Sequence, residues 1–196
     1  MSIDKKRDEN FEALIEFRNQ LDSETDRGCA LMAGSFLDYE LERLLREKLV
    51  GGKKHLDSLF DYSGPLGTFS SKINISYSLG FICKTSFSDL NLIRKIRNDF
   101  GHTHYTLSFE SEIIKNKVNN LKSNYYEPNE IRARGVFTNT VNGIMAEIHV
   151  ALLLDDKLKE KEESLITNQN YKKKIKERAK IIVKKIMEEF QNNNKS

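Results

Sequence analysis

Phe87-Ser-Asp-Leu-Asn-Leu-Ile-Arg-Lys-Ile-Arg-Asn-Asp-Phe-Gly-His-Thr-His-Tyr105 decides what kind of fold this chain can adopt. Leu90, Ile93, Ile96 and Phe100 recur at intervals of three and four, which places them on one stripe of a helix. Ser86 or Ser88 can cap its start, and Gly101 can end it. Arg97, Asn98, His102 and His104 therefore gather at the last turn, where a buried face, a helix end and polar reactive groups meet.

Just upstream, Phe69, Ile73, Tyr77 and Phe81 space by four, so a helix over 68–82 leads into the central one over 87–100 and pairs with it antiparallel. Tyr62-Ser-Gly-Pro-Leu-Gly67 reads as a structured turn, with a short turn of helix before it at Leu56, Leu59 and Phe60. A long helix from about Asp26 to Val50 carries Ala30, Ala33, Leu37, Leu41, Leu44 and Leu45, with polar caps in Asp22–Asp26 and a stop at Gly51-Gly52. Phe11, Leu14, Ile15, Arg18 and Leu21 predict a first amphipathic helix packed on the outside.

Downstream, Tyr105, Leu107 and Phe109 alternate with polar residues, which suits a short extended piece before a helix near 110–121. Asn124 to Gly135 reads as a loop. Val141, Ile144, Met145, Ile148 and Leu152 form the next stripe, and Asp155 to Glu163 is expected to carry that helix into solvent. Tyr171, Ile175, Ala179, Ile182, Ile186 and Phe190 then mark a basic amphipathic helix over about 168–190, and Gln191 to Ser196 should fray.

Few helix breakers (two prolines) and abundant Lys, Glu, Leu and Asn favour helices over a sandwich or barrel. No Pro, Gly or Ser-rich linker divides the 196 residues, so the expectation is one all-α domain. It would be an antiparallel bundle of about six or seven helices, with a core over about 25–156 and the basic helix after it. The charged start and the lack of a long apolar run predict a cytoplasmic protein without a membrane span. Cys29 and Cys83 stand apart and read as free thiols, and no ligand spacing supports a metal or cofactor, Cys83, His102 and His104 included. Gly51-Gly-Lys-Lys lacks the features of a phosphate-binding loop.

Gly64-Pro-Leu-Gly67, the helix through Tyr77, Leu79 and Gly80, and the central helix closing on Arg97 and His102 resemble the mannitol operon repressor family over roughly residues 25–155. The resemblance implies an all-helical transcriptional regulator that acts through protein partners rather than through a helix-turn-helix. A second resemblance falls on the same residues. Arg97, Asn98 and His102 match the Arg-polar-x-x-x-His motif of HEPN domains, helical bundles that include metal-independent endoribonucleases found as toxins or defence components. Carried over, Arg97, Asn98 and His102 would be catalytic, at a dimer interface where two chains build one cleft. In the HepT kind a tyrosine stands two places after the histidine; here His104 does, with Tyr105 one later.

The chemistry open to such a motif is concrete. Imidazole can take the 2′-OH proton of RNA or protonate the leaving oxygen, and guanidinium can hold the phosphate. Within a regular helix, however, residues five apart point about 140° away from each other, so Arg97 and His102 converge only if Gly101 breaks the helix or a two-fold partner completes the site. The plainer alternative pairs Arg97 with Asp38, Glu40 or Glu42 on the long helix and leaves His102 as a cation at a helix end. His104 and His149 read as packing or surface residues and His55 as surface. A homodimer, a protein partner, and RNA or DNA contact through the basic last helix are the partner expectations. A solvated face remains the favoured account of that basic helix, since the net charge is only +3.

Overall fold

The computed structural model describes residues 3–123, 130–154, 156–161 and 168–193, and no strand occurs among them. The helices are α1 (Ile3–Ser23), α2 (Asp26–Lys48), α3 (Lys53–Phe60), α4 (Phe69–Ser78), α5 (Lys84–His102), α6 (Glu112–Val118), α7 (Ala133–Leu153) and α8 (Gln169–Asn193). The fold is an all-α bundle. Eight helices are found among the described residues, the expected seven with the short turn at Leu56–Phe60 extended into a helix of its own, α3. The chain divides into two compact units, residues 1–158 and residues 159–196.

In the first unit α2 is the hub, packed against α1, α4, α5 and α7. Thr25 starts it, its hydroxyl accepting from the Gly28 amide at 3.0 Å. Ala30, Ala33, Leu37, Leu41, Leu44 and Leu45 are all fully buried, as their spacing requires. Against them lie Leu90, Ile93, Ile96 and Phe100 of α5 and Val141, Ile144, Met145 and Ile148 of α7, likewise buried. Phe109 bridges the two, with ring centroids 5.2 Å from Phe100 and 4.9 Å from Phe137. Tyr105 to Phe109 forms no strand: Leu107 and Phe109 turn into the core while Tyr105 stays exposed.

α1 is not merely peripheral. Phe17 and Leu21 are buried, and the Phe17 ring stacks on Phe36 at 4.0 Å. α4 ends where Gly80 takes a φ of 77°, a left-handed conformation that costs glycine little. Phe81 N–H then donates to Ser76 O at 2.9 Å and Gly80 N–H to Tyr77 O at 3.0 Å, the paired bonds that close a Schellman motif. The short connection to α5 follows, with Tyr77 stacked on Phe87 at 4.5 Å.

α7 is long and apolar enough to cross a membrane by length and composition, contrary to the expectation that no such run exists. More than half of that stretch is buried within the bundle, the pattern of a core helix. It stops at Leu153 instead of running on through Asp155 to Glu163. Lys48, only 2% exposed, explains the stop: its ammonium donates to Leu154 O at 2.7 Å and pairs with Asp156. Leu158 N–H in turn donates to Lys48 O at 2.9 Å. The end of α2 thus captures the chain leaving α7, and each supplies the other's missing backbone partners. Asp155 and residues 162–167 lie outside the described residues, as do 124–129 of the expected loop. α7 already begins at Ala133, and α8 continues to Asn193, since Gln191-Asn-Asn contains no breaker; residues 194–196 are outside the description.

Other buried charges tie elements in the same way. Asp89, fully buried on α5, accepts from the amides of Lys122 at 3.1 Å and Ser123 at 2.7 Å. Lys72, almost buried on α4, lies 2.8 Å from both Asp38 and Glu42 of α2. Arg46 also reaches Glu42, at 2.9 Å, and lies 4.5 Å above the Phe60 ring. Burial alone would raise the Glu42 pKa, but hydrogen bonds from Lys72 and Arg46 prevail and hold it below the usual carboxylate range.

Two tests follow from these ties. Replacing Asp89 with Ala leaves two amides without their acceptor and should cost roughly 2–3 kcal/mol in urea unfolding; Asp89→Asn, which keeps one carbonyl oxygen, should cost less. For Glu42, the depressed folded pKa means its contribution is full above the unfolded carboxylate value, about 4.3, and is lost as pH falls through the lower folded value. The urea midpoint should therefore drop on acidification below about pH 4, and Lys72→Met should flatten that dependence.

Candidate functional site

The cluster at the end of α5 is positioned from both ends of that helix. At the start, Cys83 rather than Ser86 or Ser88 is the cap, its sulfur accepting from the Ser86 amide at 3.4 Å. Glu147 of α7 accepts from the Cys83 amide at 2.7 Å and from the Ser86 hydroxyl, so a carboxylate sits at the positive end of the helix dipole. At the other end Gly101 does not break the helix, which runs on through His102 to an extended Thr103. Arg27 of α2 donates to Thr103 O at 2.8 Å and Tyr105 O at 3.3 Å, holding the chain at the cap and just past it. Lys117 of α6 pairs with Asp99 in the last turn.

Arg97 and His102 are both exposed, and Asn98 is half-buried. The Arg97 guanidinium donates to Asn98 Oδ1 at 3.1 Å. Because the helix is continuous, Arg97 and His102 diverge by about 140° and do not converge on one ligand within a chain. The acids expected to pair with Arg97 are engaged elsewhere: Asp38 and Glu42 with Lys72, and Glu40 with Arg43 at 3.1 Å and His149 at 3.3 Å. What holds Arg97 is its stem. It lies over Gly34 of α2, where an added Cβ would come within 2.8 Å of Arg97 Cγ. His149 is buried beside Glu40, and His55 is exposed, both within the expected roles.

His104 belongs to a different feature, an open depression of about 440 Å³ lined by Asp26, Arg27, His104, Tyr105 and neighbouring residues. Asp26 forms its floor by accepting from the Phe109 amide at 2.9 Å and from Arg134 of α7 at 2.9 Å. Arg134 also donates to Leu21 O at 2.7 Å and to Glu24 O, closing the turn between α1 and α2. Cys29 is buried nearby, and that burial pushes its thiol up to about 11. A thiol so placed stays protonated and unreactive, whereas Cys83 is exposed. No group of His, Cys, Asp and Glu among the described residues is arranged to hold a metal ion.

Arg27, Gly34, Arg134 and Glu147 escaped sequence reasoning, since none sits in a motif or breaks a period. Their partners lie far along the chain, so no local spacing marks them. Gly34 can be tested directly. Gly34→Ala gains helix propensity of up to about 1 kcal/mol but must displace the Arg97 stem. It should therefore destabilise the protein more in the native background than in Arg97→Ala, and a double-mutant cycle in urea should return a coupling of at least about 0.5 kcal/mol.

The surface formed by α2 and the end of α5 is thus open, with Arg27, Arg97, His102 and Tyr105 exposed on it. Comparison with known proteins places it in context. A sequence model of the family described as mannitol repressor matches residues 35–191, from the middle of α2 almost to the end of α8. No curated protein matches the chain. Among solved structures, the X-ray structure of the MtlR–HPr complex from Escherichia coli is similar, with a TM-score of 0.57 and 19% identity, covering 68% of this chain and 99% of that one. At that identity the likeness speaks for the fold alone. The family match spans well over half of the sequence, and on that ground this protein belongs to the mannitol repressor family.

Proposed function

We propose that this protein is a cytoplasmic regulator that acts on transcription indirectly, through protein–protein contacts, and not by reading DNA with a helix-turn-helix. The observation that carries this is the family match over 35–191. The similar structure from Escherichia coli is that of a complex with HPr, which makes HPr the first candidate partner here. The face formed by Arg27 and Leu31 of α2 with Arg97, Asn98, His102 and Tyr105 supports the same reading. Exposed Arg and Tyr side chains are the kind that anchor protein interfaces, and here their stems and backbones are held by the bundle. The chain is taken to pair with itself as a homodimer.

The ribonuclease alternative is not favoured. It needs Arg97 and His102 on one phosphate, and the unbroken α5 turns them apart. Only a second chain could complete such a site.

Titration calorimetry of the purified chain with HPr should give heat of binding in the micromolar range or tighter, and Arg97→Ala should weaken it by about tenfold, the effect of losing a modest hot spot. Promoter DNA alone should not be retained at physiological salt. Sequence-specific DNA binding by the pure protein, or no protein partner for it, overturns the regulatory mechanism. RNA incubated with the protein in EDTA should stay intact. Cleavage to 2′,3′-cyclic phosphate ends that disappears in His102→Ala would instead establish the enzyme.

A further inference from the structure

α5 carries two guanidiniums that no acid neutralises. Arg94 makes no hydrogen bond or ion pair among the described residues, and its Nε–H is buried without an acceptor. Arg97 donates to Asn98 Oδ1 at 3.1 Å, a neutral partner. The nearby acids are engaged elsewhere, Asp38 and Glu42 with Lys72 and Asp99 with Lys117. Lys48, Lys72 and Asp89, the other charges withdrawn from solvent, each have partners of their own. Folded proteins leave few buried donors without an acceptor, so the one on Arg94 points to an acceptor that comes from outside.

The side chains around it converge. At about 100° per residue, Arg94 lies about 60° from Arg97 and about 40° from Asn98, between the two and one turn before them. The Arg97 stem lies over Gly34 of α2, but its head is turned to Asn98 and so crosses the Arg94 side of the helix. With Oδ1 accepting from Arg97, the Asn98 amide N–H groups are left to donate. Gly101, on the next turn, falls about 20° from Arg94 and bears no side chain. A Cβ there would meet only Leu31, at 3.6 Å, so the space beyond the guanidiniums is open.

We infer that Arg94, Arg97 and Asn98 bind a phosphate monoester dianion. Two cations within one turn call for two negative charges, which a monoester supplies and a phosphodiester does not. Each guanidinium can donate two parallel N–H bonds to its oxygens, and no carboxylate stands by to repel it. A small phosphate ester and a phosphorylated protein side chain present the same group. The site goes beyond the regulatory reading and does not rest on it, although Arg97 is common to both.

Inorganic phosphate added to the full chain should shift the Arg94 Nε–H resonance in NMR spectra and saturate below about 10 mM, whereas chloride at equal ionic strength should leave it in place. Glycerol phosphate should bind about fivefold or more tightly at pH 7 than at pH 5, since its second proton leaves near pH 6. Sulfate, a dianion throughout, should show no such rise. His102, exposed at the same helix end, loses charge over that range and would drive the opposite change. Arg94→Gln and Arg97→Gln should each weaken glycerol phosphate binding by about tenfold, and Arg94→Lys, which keeps the charge but not the fork, by about threefold. Gly101→Leu keeps both cations but fills the gap, and should weaken binding about as much as Arg94→Gln. Lys95→Gln removes an exposed charge about 100° round the helix from Arg94 and should change it by less than about twofold. Should Arg94→Gln fail to fold by circular dichroism, Arg94→Lys and Gly101→Leu carry the same test.

A phosphoserine peptide that binds more than about tenfold tighter than both glycerol phosphate and its unmodified form assigns the group to a protein, and equal affinity assigns it to the small ester. A response to phosphate no larger than that to chloride overturns the site, as does Lys95→Gln proving as damaging as Arg94→Gln; the arginines are then a solvated charged surface. Single-stranded RNA that binds more tightly than glycerol phosphate and is lost in Arg94→Gln makes the ligand a diester backbone and overturns the monoester assignment. Absence of HPr binding with glycerol phosphate still bound removes the regulatory reading and leaves this site standing.

Discussion

The close approach of α2 to its neighbours is the constraint on which this bundle depends. Its first half offers small residues to the interior, Cys29, Ala30, Ala33 and Gly34, and its second half Leu37, Leu41, Leu44 and Leu45. Small residues let α5 come near enough for the stem of Arg97 to lie directly on the backbone at Gly34. The leucines of the second half are fully buried and fill the interior there, as dense packing demands. Because four other helices pack on α2, a change in its register would shift all of them together.

Around that hub, the helix ends are secured by charged side chains from elsewhere in the sequence. Arg134 closes the α1–α2 turn, Arg27 holds the end of α5, and Glu147 sits at its start. Asp89 fixes the chain after α6, and Lys48 the chain after α7. These bonds go largely to backbone groups in the connections at or just beyond helix ends, which have no helical partner, so each charge gains partners where the backbone also needs them. The arrangement accounts for the mixture that the composition suggested, a strongly charged chain with a fully apolar centre.

The stripes of α2, α4, α5 and α7 were legible because burial imposes a period that the residues themselves display. Helix ends were less so. Gly101 looked like a stop, yet a glycine inside a helix costs only about 1 kcal/mol, which the packing of Phe100 and the grip of Arg27 on Thr103 can outweigh. Asp155 to Glu163 looked like a helical extension because its composition suits one, whereas the buried ammonium of Lys48 competes for the same carbonyl. At the candidate site the sequence located Arg97, Asn98 and His102 on one helix end. Their separation about the helix, and the loss of every expected acidic partner of Arg97 to Lys72, Arg43 or His149, depended on contacts distant in the chain.

The clamp made by Arg134 has an implication for how relatives of this protein would differ. It grips Leu21 and Glu24 through their carbonyl oxygens, not their side chains, so residues of that turn can drift while the guanidinium cannot. Asp89 stands in the same position towards Lys122 and Ser123. In a set of related chains, the most invariant polar residues would then include ones that meet no ligand at all. Invariance of Arg134 or Asp89 would record the upkeep of loops whose own letters change freely, and selection for binding would have to be sought among the exposed side chains on the opposite side of that bargain.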